Sequence, residues 1–228
     1  MNILFIAILL SIIIGIVQYF SEKISDKCGS YYTKIISFSA GISITYLFLD
    51  LFPQFSIHVV ELTELLFVSL LVGFIFVHLI EKYVYQHTSD SHIKERLTIE
   101  NQAILFMYHF LLGIIIVDFA KQGLNQLLLF FIPIVIFTSV NTLPVRQHIS
   151  NKVNFFVALS TLSGVIFSGF IFTEINPLIQ AALLGFIVGG FLFSIIRHSI
   201  PKGREGEPLY FIFGVLIYAP IVIASWFL

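Results

Sequence analysis

The stretch FSAGISITYLFLDLFPQ runs from Phe38 to Gln54 and holds one carboxylate, Asp50, and no basic side chain. It is the larger part of an apolar run from about Ile35 to Phe52. A helix needs about 17–25 such residues to cross the hydrocarbon core of a bilayer, so the run predicts a membrane span. Pro53 lacks a backbone N–H and fits poorly inside a helix, and the span is expected to stop there. Asp50 then falls near a membrane boundary, where a carboxylate reaches water and acts as an interfacial cap or an entrance ligand.

Seven further runs have the same character. They cover about Ile3 to Phe20, Leu62 to Tyr85, Gln102 to Phe119, Asn125 to Pro144, Asn154 to Phe172, Leu178 to His198 and Leu209 to Phe227. Pro133, inside the fifth, predicts a kink. The first run lacks the basic start and small-residue cleavage site of a signal peptide and reads as a retained helix. Composition agrees. Hydrophobic residues make up 58% of the 228, and charged residues 11%, against about 25% charged in a soluble domain. So few charges cannot cover a globule in water, but they suit a chain dissolved in lipid. The expected fold is an all-α integral membrane protein, one transmembrane domain of eight helices over residues 1–228.

A net charge of −1 excludes the basic surface that nucleic acid requires. The single cysteine, Cys28, excludes an internal disulfide framework and a cysteine zinc cluster. Eleven of the 12 Lys and Arg fall in alternate loops, after spans 1, 3, 5 and 7, and only Lys121 falls on the other side. Basic residues collect in cytoplasmic loops, so both termini are expected outside. Short loops without disulfides favour a prokaryotic inner membrane.

Spans 2 and 7 echo each other. Ala40-Gly41 through Phe52-Pro53 aligns without gaps on Val188-Gly189 through Ile200-Pro201, and sets Asp50 opposite His198. One reading is an inverted repeat, the usual construction of alternating-access transporters. The other is that glycine and a terminal proline are ordinary in membrane helices. Gly185, Gly189 and Gly190 read as helix-packing contacts.

The segment Phe38–Gln54 resembles the second helix of ZIP-family divalent metal transporters, with Ala-Gly near its start and a leucine-rich end. Gly73 through His87, with Ile80-Glu81-Lys82, resembles their third helix, and Gly185–Pro201 with Leu209–Ile221 their last two. The resemblance implies eight helices, both termini outside, a homodimer, and transport of a zinc-, iron- or manganese-class cation toward the cytoplasm between helices 4 and 5. It implies no tightly bound cofactor. Anchored on Gly113, the family pattern sets Tyr108 and His109 at its His-Asn pair and Leu112 at a carboxylate. Anchored on Pro144, it sets Asn141 and Thr142 at its His-Glu pair and Val145 at the second carboxylate. His109, Asn141, Thr142 and Tyr108 are therefore the candidate metal residues. They form a depleted set, because a divalent ion in a low-dielectric site wants several N or O ligands and carboxylates to balance its charge.

Each candidate has a plainer reading. His109 can be a neutral ring donating to a facing helix, and Asn141 and Thr142 can be polar contacts between helices. Asp118 reads as a second interfacial carboxylate. His78 and Glu81, three apart, share a helix face as an exit site or as an interfacial pair. His87 and His92 lie in a polar loop, Gln86–Asn101, too poor in histidine to gather metal. Three function classes follow: a ZIP-like transporter, a non-transporting homologue acting as a sensor or membrane scaffold, and an intramembrane enzyme. The last is disfavoured because neither HExxH nor GxSxG occurs.

Overall fold

A computed structural model describes residues 3–28, 31–87, 93–140, 151–171, 176–199 and 206–227, and every regular element among them is helical. In hydrocarbon each backbone N–H and C=O needs a partner from the chain itself, and helices supply it. In order the helices are α1 (Ile3–Cys28), α2 (Tyr32–Tyr46), α3 (Phe52–Glu61), α4 (Leu66–His87) and α5 (Ile93–Gln122). They continue with α6 (Leu124–Val140), α7 (Asn151–Ala158), α8 (Ser160–Ile166), α9 (Pro177–Ser194) and α10 (Pro208–Ser225). Three π turns interrupt them: Leu47–Leu51 joins α2 to α3, Phe167–Ile171 extends α8, and Ile195–Ser199 extends α9.

Six stretches are long and apolar enough to cross a membrane: Leu4–Ser21, Tyr32–Glu61, Leu66–Tyr83, Leu105–Gln122, Pro177–Arg197 and Pro208–Ser225. Two shorter apolar helices, Leu124–Val140 and Asn154–Phe170, pack among them. The described residues are those of an all-helical membrane protein. Its apolar residues also cover the outside: Leu71, Leu79, Phe213 and Leu216 are more than half exposed, as surfaces bathed in lipid are.

Several helix ends differ from expectation. α1 runs on to Cys28, and α5 begins at Ile93, inside the stretch expected as a loop. That stretch reads Ile-Lys-Glu-Arg-Leu, residues with good helix propensity. α6 contains Pro133, as the fifth span requires. The largest difference is in the second span, which does not stop at Pro53 but continues to Glu61. Pro53 sits in the first turn of α3, directly after the π turn. There the Phe52 N–H bonds Leu47 O, five residues back. The widened turn makes room for the proline ring, so the helix shifts its register by one residue instead of ending. Asp50 is consequently not at a helix end; it lies inside the span and is 4% exposed.

Three helix pairs make the closest contacts, and each is antiparallel and built on two facing glycines. In α2 and α10, a Cβ on Gly41 would strike Phe211 O, and one on Gly214 would strike Phe38 O. In α4 and α9 the same holds for Gly73 against Phe186 O and Gly189 against Leu70 O. In α5 and α8 it holds for Gly113 against Thr161 O and Gly164 against Phe110 O. Backbones pack this tightly in lipid only where side chains are missing.

The first two pairs repeat each other position for position. The shift that carries Gly41 onto Gly189 also carries Phe38 onto Phe186, and the π turn Leu47–Leu51 onto Ile195–Ser199. The shift that carries Gly73 onto Gly214 carries Leu70 onto Phe211. Each π turn rests on the straight part of the other's helix, Ile195–Ser199 on α2 and Leu47–Leu51 on α9, so the two broken helices cross head to tail.

Candidate functional site

His109 lies one turn before Gly113 in α5, is 2% exposed, and reaches across to α6. Its Nδ1 is 2.9 Å from Leu105 O, and its Nε2 is 3.3 Å from Thr138 Oγ1. A carbonyl only accepts, so Nδ1 carries the proton and the neutral ring accepts the Thr138 hydroxyl at Nε2. Both nitrogens are thus engaged. The α5–α6 bridge expected of His109 exists, but its partner is Thr138. Asn141 and Thr142, with Pro144 and Val145, lie outside the described residues.

Tyr108 is set among aromatic rings. It stacks on Phe191 at 6.4 Å between centroids, tilts on Phe137 at 6.4 Å and meets the His109 ring edge-on at 5.6 Å. Its hydroxyl is buried and has no hydrogen-bond partner among the described residues. Leu112, at the family's carboxylate position, is fully buried in the apolar core. No three His, Cys, Asp or Glu side chains converge among the described residues.

A second polar group lies on the broken helix. Ser39, Ser43, Tyr46, Asp50 and Gln54 recur at helical spacing along one face, and the first four are 4% exposed or less. The hydroxyls of Ser39 and Ser43 are buried without a protein hydrogen bond among the described residues, and the buried Tyr46 hydroxyl faces Asp50 without a hydrogen bond of ordinary geometry. Gln54 Nε2 donates to Asp50 Oδ2 at 3.0 Å and to Gln126 Oε1 of α6 at 3.2 Å. Tyr46 and Tyr218 face the same carboxylate, and the Tyr218 hydroxyl donates to Leu129 O at 2.8 Å. The apolar/polar pattern of Phe38–Gln54 carried this stripe in plain view. Ending the helix at Pro53 hid it, because a carboxylate at a helix end needs no buried partners.

The remaining candidates have structural partners. Glu81 pairs with Arg197 at 2.8 Å, joining α4 to the π turn after α9, while the His78 ring lies edge-on to Phe193 at 5.6 Å. His78 and Glu81 thus have separate partners. Asp118 accepts from Gln180, and from Gln122 at 3.2 Å. Gly189 is a tight backbone contact and Gly185 packs on Ser69 and Phe55, whereas Gly190 faces ordinary space, with Val77 Cγ2 3.4 Å from an added Cβ. His87 closes α4 instead of lying in a loop, and His92 falls outside the described residues. Neither a protein-family model nor a curated protein matches the sequence.

Proposed function

We infer that the chain is a ZIP-like membrane transporter of eight helices that carries a divalent cation of the zinc, iron or manganese class toward the cytoplasm between α5 and α6. The observation that carries this reading is the position-for-position recurrence of the α2–α10 contacts in α4–α9, with two π-broken helices crossing head to tail between them. This is the form of an inverted repeat, in which cargo is held where the halves meet and discontinuous helices offer it their polar groups. His109 and Thr138, buried between α5 and α6, are the polar pair on that route. Both termini face outside, and the membrane is a prokaryotic inner membrane.

The test is uptake of Zn²⁺, Fe²⁺, Mn²⁺ and Co²⁺ into liposomes carrying the purified protein, beside empty liposomes and His109→Ala. The expected result is uptake of at least one ion, reduced about tenfold or more by loss of an inner ligand. Uptake unchanged in His109→Ala removes the α5–α6 route.

One observation favours a second reading, a homologue that no longer transports and serves as a sensor or scaffold. Both nitrogens of His109 are taken by protein groups, and aromatic rings pack round Tyr108. Absence of uptake for every ion by well-folded protein is the result that reading requires.

A further inference from the structure

We propose that Asp50 and the groups around it form a binding site for one monovalent cation of the sodium class. This goes beyond divalent transport between α5 and α6 and does not depend on it.

The starting point is a buried carboxyl group with no basic partner among the described side chains. Asp50 is inside the bundle, 4% exposed, and no Lys, Arg or His among the described side chains pairs with it. An ionised carboxylate left alone in a low-dielectric interior is costly by many kcal/mol, so such groups occur matched by a cation or a donor. The donors beside it, the Gln54 amide at 3.0 Å and the Tyr46 hydroxyl, are both neutral, and the amide is shared with Gln126.

The surroundings are rich in oxygen. The Tyr46 hydroxyl lies beside the carboxylate, fully buried and without a hydrogen bond of ordinary geometry. Ser43 adds a second buried, unpartnered hydroxyl one turn earlier on the same face. The helix itself supplies more. Phe52 N–H reaches back to Leu47 O, and Pro53 has no N–H, so the next carbonyls, of Phe48 and Leu49, include at least one without a donor from its own helix. Free carbonyls in a broken membrane helix are what coupled monovalent cations bind in repeat-built transporters.

Charge chooses the ion. One carboxylate and neutral oxygens neutralise a single positive charge, whereas a divalent ion would leave a net charge of +1 in the same low-dielectric interior. The sole carboxylate of the stripe therefore fits sodium better than zinc or manganese, and the absence of nitrogen and sulfur ligands points the same way.

The experiment is equilibrium binding of radioactive sodium to the full chain in phospholipid nanodiscs, in a choline chloride background. Saturable binding of one ion per chain is expected, with loss of tenfold or more in affinity for Asp50→Asn. Tyr46→Phe and Gln54→Ala, each keeping the wild-type melting midpoint in choline, are expected to weaken binding several-fold. These two variants carry the test if Asp50→Asn does not fold. No saturable binding, or binding undiminished in the variants, overturns the proposal. So does displacement of the label by Mn²⁺ at a lower concentration than by unlabelled Na⁺. Binding is read without flux, so its failure is distinct from failure of divalent transport.

Discussion

His109 shows how a buried polar group in a bilayer is settled by its immediate neighbours. Its ring joins α5 to α6 through Thr138, and such bonds between membrane helices contribute about 1 kcal/mol. Thr138→Val, which keeps the shape and removes the hydroxyl, is expected to lower the melting midpoint of the detergent-solubilised protein by a few degrees. Thr138→Ser is expected to restore most of the loss. A midpoint unmoved by Thr138→Val means the bond adds nothing. Finding His109 from sequence was straightforward, because an ionisable residue inside a span is rare and therefore conspicuous. Its partner was not legible. The Gly-and-Pro alignment points to Asn141 and Thr142, which lie outside the described residues; within them the ring reaches Thr138, and which residue meets another across two helices depends on rotation and depth that spacing does not encode. Asp50 was visible as a residue and misplaced as a position, since its burial depends on what happens three residues later at Pro53.

At the scale of the element, the existence and order of the apolar helices were readable because hydrocarbon demands long apolar runs. Their interruptions were not, because a π turn leaves the hydropathy pattern of Phe38–Gln54 unchanged. The glycines give the sharpest test. Gly189 and Gly190 are neighbours in α9, yet only Gly189 has a carbonyl, Leu70 O, where a Cβ would go. Gly189→Ala is expected to cost about 1–3 kcal/mol by overpacking against rigid backbone. Gly190→Ala is expected to stay within about 0.5 kcal/mol of wild type, as a change without a clash does. Reversible unfolding in mixed micelles measures both, and equal effects would contradict the close α4–α9 approach. The echo between spans 2 and 7 was readable in Gly41 and Gly189. That it extends to Phe38, Phe186 and the π turns required the contacts themselves.

For the whole molecule, the distribution of Lys and Arg predicts that the segment after the first span is cytoplasmic and that both ends of the chain are outside. Cys28, the single cysteine, tests this in the unaltered protein. A membrane-impermeant maleimide is expected to leave Cys28 unlabelled in intact cells and to label it in inside-out vesicles, and the reverse pattern inverts the topology. The glycine pairs have a consequence for biogenesis. They are nested along the chain: α5 with α8 innermost, α4 with α9 around it, and α2 with α10 outermost. Translation delivers the members of each pair at different times, and the widest interval separates Gly41 from Gly214. The glycine face of α2 therefore has no partner until α10 is made. The order of synthesis thus lets α5 and α8 close first, α4 and α9 next, and α2 and α10 after them.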